Sequence, residues 1–253
     1  MKIDVWRSLL RYPQSLYALI LFGATICSLP IAAQAKDSSL YGLGIVQRRD
    51  TVVVRCPTVV SLSILAPDDG ARTLSEYPTI YWYINQRLSG NEFFNIRLGK
   101  GISNHRVFYK DSNNLDRSAS RLYSFTMPLN SKPLAELELY TWDITFNAPY
   151  SSNVSSRAFI KRESNPSVEQ QVKIASTDLE KARIFAQNRY WYDALHLYSI
   201  WILAHPDDTI ALSERKAMLD EIVDKPKDKC YGKSELYDSS PINAPQPIQQ
   251  ILP

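Results

Sequence analysis

Histidine, glycine and cysteine are scarce in this chain of 253 residues, and each scarcity removes a class of chemistry. The three histidines, His105, His196 and His205, form no His-Glu-x-x-His or comparable ligand spacing. No metal site and no cofactor is therefore expected. Eight glycines supply no glycine-rich loop that would cradle a phosphate. The polar run from Asp111 to Asp116 lacks the glycine of a calcium loop, and Leu115 stands where an oxygen ligand belongs. The formal net charge is only +3, with no basic stripe, which argues against nucleic acid as a partner. Beyond the N-terminus, no apolar run approaches the ~20 residues of a membrane-spanning helix.

The N-terminus carries three features in order. Lys2, Arg7 and Arg11 form a basic head against the single Asp4. An apolar stretch runs from Leu16 to Cys27, and the small-x-small trio Ala33-Gln34-Ala35 follows Pro30. This is the pattern of a secretory signal peptide. We expect residues 1–35 to direct export, with cleavage after Ala35. The competing reading is an uncleaved anchor, since no charge occurs from Tyr12 to Ala35. Cleavage would remove three positive charges and one negative, taking the net charge to +1. The expected location is extracytoplasmic: periplasm, thylakoid lumen or medium. Cys27 would leave with the leader, so Cys56 and Cys230 remain, either bridged in an oxidising compartment or as two free thiols.

Five segments are expected: the leader, a flexible lead-in (36–50), a β domain (51–165), a helical unit (166–224) and a Pro-rich disordered tail (225–253). In the β domain, short runs of β-branched and aromatic residues alternate with turn signals. Pro67-Asp68-Asp69-Gly70 is a turn with a mechanism: Pro presets φ, Asp bonds its own backbone, Gly accepts positive φ. Leu137 to Phe146 alternates apolar and polar residues, with a phase slip at Leu139/Tyr140 that predicts a bend or bulge at the strand's start. Seven or so such strands predict an antiparallel β-sandwich of immunoglobulin or fibronectin type. Trp82 sits mid-strand and Tyr140 near the start of a late strand, where such sandwiches bury a Trp and place a corner Tyr.

In the helical unit, Thr177-x-x-Glu180 has capping-box spacing. Trp191, Ala194, Leu195, Tyr198, Trp201 and Ile202 then recur at helical spacing, and His205-Pro206 ends that helix. Asp207 or Asp208 can cap a further helix through Leu219 and Ile222. Three helices are thus expected, docked on the sandwich.

Asp193 and His196 lie three apart on one helix face, but no Ser or Cys nucleophile is tied to them by a motif. Asn153-Val154-Ser155 fits an N-glycan acceptor. Three consecutive aromatics, Tyr190, Trp191 and Tyr192, cannot share one helix face. They are candidate ligand-binding residues; the favoured reading has them cap the core at the helix–helix turn or pack against the sandwich.

Three segments carry a family resemblance. Leu65 to Tyr83, Leu139-Tyr-Thr-Trp142 and Arg189-Tyr-Trp-Tyr-Asp-Ala-Leu195 resemble, in order and spacing, the cyanobacterial domain-of-unknown-function family numbered 928. In the last segment Arg189 stands where that family usually has glycine. The resemblance covers roughly residues 52–223. It implies an exported cyanobacterial protein with a sandwich followed by helices, and it implies no activity. Many members have a cysteine just after the strand containing Trp142; Asn147-Ala148 stands there in this sequence. The resemblance thus leaves Cys230 as the partner for a Cys56 bridge. Trp191 to Asp207 also looks like part of a tetratricopeptide repeat, of which several units are needed for a free-standing solenoid.

These readings predict a non-enzymatic interaction or structural protein of the cell envelope, with an envelope protein or glycan as partner and contact with membrane only through an uncleaved leader. The alternative is a carbohydrate- or peptide-binding module that uses exposed aromatics, with an unrecognised hydrolase behind it.

Overall fold

The computed structural model describes residues 40–45, 60, 62–84, 91–101, 105–112, 122–149, 153–222 and 249–251. The leader with its cleavage position Ala35, and both Cys56 and Cys230, lie outside the described residues. Among the described residues, nine strands and four helices occur in the order β1 (Leu62–Ile64), β2 (Ala71–Thr73), β3 (Thr79–Ile84), β4 (Phe93–Lys100), β5 (His105–Ser112), β6 (Leu122–Thr126), β7 (Leu139–Asn147), β8 (Val154–Arg162), α1 (Pro166–Ile174), α2 (Asp178–Gln187), α3 (Trp191–Ala204), α4 (Thr209–Asp220) and β9 (Gln249–Ile251). The protein is mixed α/β, with two sheets rich in antiparallel pairs.

One sheet has the order β1-β3-β6-β9 and the other β2-β8-β7-β4-β5. Two pairings are parallel, β2 with β8 and β6 with β9. Rings of the two sheets meet between them. Trp82 of β3 meets Phe94 of β4 edge-on with centroids 5.3 Å apart, and Phe125 of β6 meets Trp142 of β7 at 6.3 Å. All six residues of β3 are buried, so it reads as a continuous apolar run rather than an alternating one. Its Trp82 faces the opposing sheet, while Tyr81 faces helix α3.

The Pro67–Gly70 turn forms as expected: Gly70 adopts φ +85° and its N–H donates to the Pro67 carbonyl at 3.0 Å. The bend expected inside the strand at Leu139/Tyr140 does not occur. The register of β7 on β8 runs unbroken from Leu139↔Lys161 onward. The irregularity falls earlier, at Leu137, which has φ +63° and an exposed side chain and therefore never belonged to the alternation. Tyr140 is buried, and its hydroxyl accepts the Ala135 N–H at 3.0 Å.

The segment 166–222 holds four helices, one more than expected. Pro166 is no boundary but the first residue of α1, where its missing N–H removes no helix bond. Asn165 caps that helix by accepting the N–H groups of Ser167 and Val168. The capping box of α2 forms in both directions between Thr177 and Glu180. Asp208 caps α4 through the N–H groups of Ile210 and Ala211.

The lead-in, expected to be flexible, is anchored over residues 40–45. Leu43 and Ile45 donate N–H to the carbonyls of Gly70 and Asp69, each at 3.1 Å. Buried Tyr41 sets its ring edge-on to Trp191 at 5.0 Å. An aromatic side chain with this much apolar surface is a strong anchor, and lead-in composition did not reveal it. Of the tail, residues 249–251 form β9; residues 223–248 lie outside the described residues. Among the described residues no helix is long and apolar enough to cross a membrane.

Candidate functional site

The turn between α2 and α3 determines where the aromatic trio goes. Tyr190 donates its N–H to Phe185 O at 2.9 Å, and Arg189 donates to Ala186 O at 3.1 Å. With Arg189 at φ +65°, these two bonds make a Schellman turn. The apolar contact that accompanies such turns is present as Tyr190 edge-on to Phe185, centroids 6.1 Å apart. Arg189 occupies the left-handed position that glycine fills most easily.

That turn aims α3 across β2 and β3, and its first residues bolt the helices to both sheets. Trp191 Nε1 donates to the Leu65 carbonyl at 2.8 Å. The Tyr192 hydroxyl donates to the Phe159 carbonyl on β8 at 3.0 Å. Asp193 Oδ2 accepts the Leu74 N–H at 2.9 Å, in the link between β2 and β3. His196 Nδ1 is 2.9 Å from the Tyr81 hydroxyl. Tyr190, Trp191 and Tyr192 are all buried, Trp191 completely. These three do not form an exposed ligand-binding platform; of the two readings, packing against the sandwich is the one observed, and the side chains hold the molecule together. Asp193 and His196, neighbours on one face, hydrogen-bond to separate partners rather than forming a base–orienter pair.

Beside this seam lies a cleft of about 200 Å³. Its polar lining includes Ser75, the hydroxyl pair Thr79–Thr126 (2.8 Å apart), Asp193 and His196, beside Thr73, Tyr77 and Tyr192, with Phe185 and Leu197 as apolar walls. Burial pushes the Asp193 carboxyl up to about 6, against the pull of hydrogen bonds from the Leu74 and Ser75 backbone and from Thr73. Burial lowers the His196 imidazole below its ordinary value. Behind them Tyr81 is raised by burial, and the guanidinium of Arg215, brought in from α4, is lowered by burial to about 10. Sequence reasoning named Asp193 and His196 but missed Tyr81, Thr79, Thr126 and Arg215. A carboxylate inside the apolar run Tyr190 to Leu195 was the one available signal, since an acid there has to find donors.

A second concavity of about 510 Å³ lies between α2 and α4. The Arg183–Glu214 ion pair (2.9 Å) spans it, and Leu40 and Tyr41 of the lead-in line it with Tyr198. Burial, and then Glu214, raise the Tyr198 hydroxyl. No group of three or more His, Cys, Asp or Glu side chains that would suit a metal ion occurs among the described residues. Of the histidines, His205 stacks on Trp201 with centroids 3.9 Å apart, and His105 begins β5.

The class here is a pair of sheets carrying a helical unit sealed on by an aromatic seam, and such a fold does not by itself assign a function. The chain belongs to the family described as Domain of Unknown Function (DUF928), whose model matches residues 47–225, from before β1 to just past α4. No curated protein matches the sequence. Among solved structures, murine CRIg aligns with 42% of this chain and 97% of its own at 13% identity. Its TM-score of 0.25 is too low to bear on fold or function.

Proposed function

We propose that this is an exported, non-enzymatic interaction protein of the cell envelope: an immunoglobulin-like β-sandwich carrying a small tetratricopeptide-like helical unit. Export rests on the basic head, apolar stretch and small-residue site that end at Ala35. The sandwich reading is supported by the rings that meet between the sheets, by buried Trp82 and by the bond from Tyr140 back to Ala135.

The outer face of α3 carries the functional reading. Its inner face is committed to the seam, yet Ile200 is 38% and Leu203 is 50% exposed, three residues apart on the same side. Ile210 at the start of α4 is 62% exposed. A helix apolar on all sides is normally covered on all sides, and large apolar residues gathered on one exposed face mark a contact surface. The partner this face suits is another apolar protein surface in the same compartment. Asp193 and His196, the residues with the most catalytic potential, spend hydrogen bonds on the seam, which supports the non-enzymatic reading.

The test places a photo-activated cross-linking residue at position 203 in cells, with position 137 as an exposed control on the β domain. The reading requires one discrete adduct from position 203, absent from 137 and lost in Ile200→Asp. Equal adducts from both positions would remove it, as would a native N-terminus that begins at Met1 in the cytosol.

A further inference from the structure

The cleft beside the seam has donors and acceptors left over after the seam's own hydrogen bonds are counted. Within the chain, Ser75 Oγ accepts the Tyr77 N–H at 3.1 Å, so its own proton remains to be given. In the Thr79–Thr126 pair one hydroxyl donates to the other, and the second proton remains. His196 spends Nδ1 on Tyr81, and Nε2 is its other polar atom. Asp193 accepts the Leu74 N–H on Oδ2 and is also bonded by Thr73 and the Ser75 backbone, so it borders the cleft as a carboxylate already held by the chain. These groups come from the β2–β3 link, β3, β6 and α3, and all border the same cleft.

The mixture discriminates among ligand classes. A small anion would meet the Asp193 carboxylate and no facing cation in the lining. A simple cation would use Asp193 and leave the hydroxyls and the imidazole idle. A neutral polyhydroxylated ring would use the rest: its hydroxyls bond His196 Nε2, as donor or acceptor according to the tautomer, and accept protons from Ser75 and the threonine pair. Its C–H face would lie against Phe185 and Leu197. The volume of about 200 Å³ is below the ~300 Å³ at which pockets begin to take drug-sized ligands, so it suits one ring rather than two.

We propose that this cleft is a binding subsite for a single neutral sugar ring, held by His196, Ser75 and the Thr79–Thr126 hydroxyl pair, with the Asp193 carboxylate at its edge excluding anions. It is independent of the α3 outer face, and either can fail without the other. It also differs from an aromatic platform, because its polar groups sit in a recess and its aromatic wall, Phe185, is buried.

The experiment is an NMR titration of the full mature chain with free D-glucose, D-galactose, D-mannose and N-acetyl-D-glucosamine, with tetramethylammonium and acetate as charged probes. At least one sugar is expected to shift amides confined to residues 74–79 and 193–197. Thr126→Val and His196→Phe are each expected to weaken that titration about tenfold, the equivalent of one good hydrogen bond. Lys216→Ala, on the exposed face of α4, is expected to leave it unchanged. Shifts in the folded wild-type protein by none of the four sugars, by a charged probe alone, or at the α2–α4 groove instead would overturn the proposal. So would a titration that survives both cleft substitutions. The wild-type amide map decides the matter even where a variant fails to fold.

Discussion

Replacing Trp191 with Phe removes one hydrogen bond and part of one ring from the seam, and both losses can be sized. The indole N–H that reaches the Leu65 carbonyl at 2.8 Å disappears, leaving a buried carbonyl short of a donor. That costs about 1–3 kcal/mol. The missing ring volume leaves a void against Tyr41, costing roughly another 1 kcal/mol at ~24 cal/mol per Å³. The expected total is about 2–4 kcal/mol, or a fall in Tm of roughly 5–15 °C for a folded unit of this size. Urea unfolding followed by far-UV circular dichroism, with hydrogen exchange read separately for helix and sheet amides, gives both the magnitude and the cooperativity. The seam makes helices and sheets one cooperative unit, so wild-type amides of α2–α4 and of β3 should share one opening free energy. A loss below about 0.5 kcal/mol, the range of ordinary surface substitutions, would refute the reasoning. So would a wild-type protein whose helices melt in a separate earlier step.

Other consequences follow from the same geometry. Arg189→Gly should stabilise the protein by about 1 kcal/mol in chemical denaturation, because φ +65° strains any side chain and glycine carries no such penalty. Gly70→Ala should destabilise by about 2–4 kcal/mol: φ is +85°, and an added Cβ would come within 2.9 Å of Phe159 Cβ. Asp193→Asn should change the pH dependence of stability in a set direction. The folded carboxyl lies at about 6, above its unfolded value of 3.8, so its contribution is fully present below pH 4 and is lost as pH rises through 6. The stability of the native protein relative to Asp193→Asn should therefore fall by up to about 3 kcal/mol between pH 4 and pH 7, measured as paired urea midpoints. A difference that grows with pH would contradict the burial of that carboxylate.

Much of the architecture was legible because local chemistry and tertiary role agree. The β3 segment, the Thr177–Glu180 box, the stop at His205-Pro206 and the Gly70 turn each follow from residues within a few positions of one another. Strand β2 was not legible because three residues are too short to carry a period, and its partner β8 lies some ninety residues away. Helix α1 was lost because a proline was read as punctuation, although Asn165-Pro166 is itself a start signal. The aromatic trio was ambiguous for a physical reason. Sequence shows that the three cannot share a face, but not that Tyr190 closes a Schellman turn while Trp191 and Tyr192 reach carbonyls 126 and 33 residues away. The cleft was hidden for the same cause. Thr79, Thr126 and Asp193 sit on three elements, and only the docking of α3 brings them to one recess.

The outward side of α3, with Ile200 and Leu203 in solvent, carries the proposed contact. A photo-activated cross-linker at position 203, activated in living cells, reads that side directly. A partner-binding α3 face gives one defined adduct on protein from the envelope fraction, abolished by Ile200→Asp in a protein whose unfolding midpoint is unchanged. The same ladder of adducts from position 203 and from position 137, or an adduct untouched by Ile200→Asp, would contradict it.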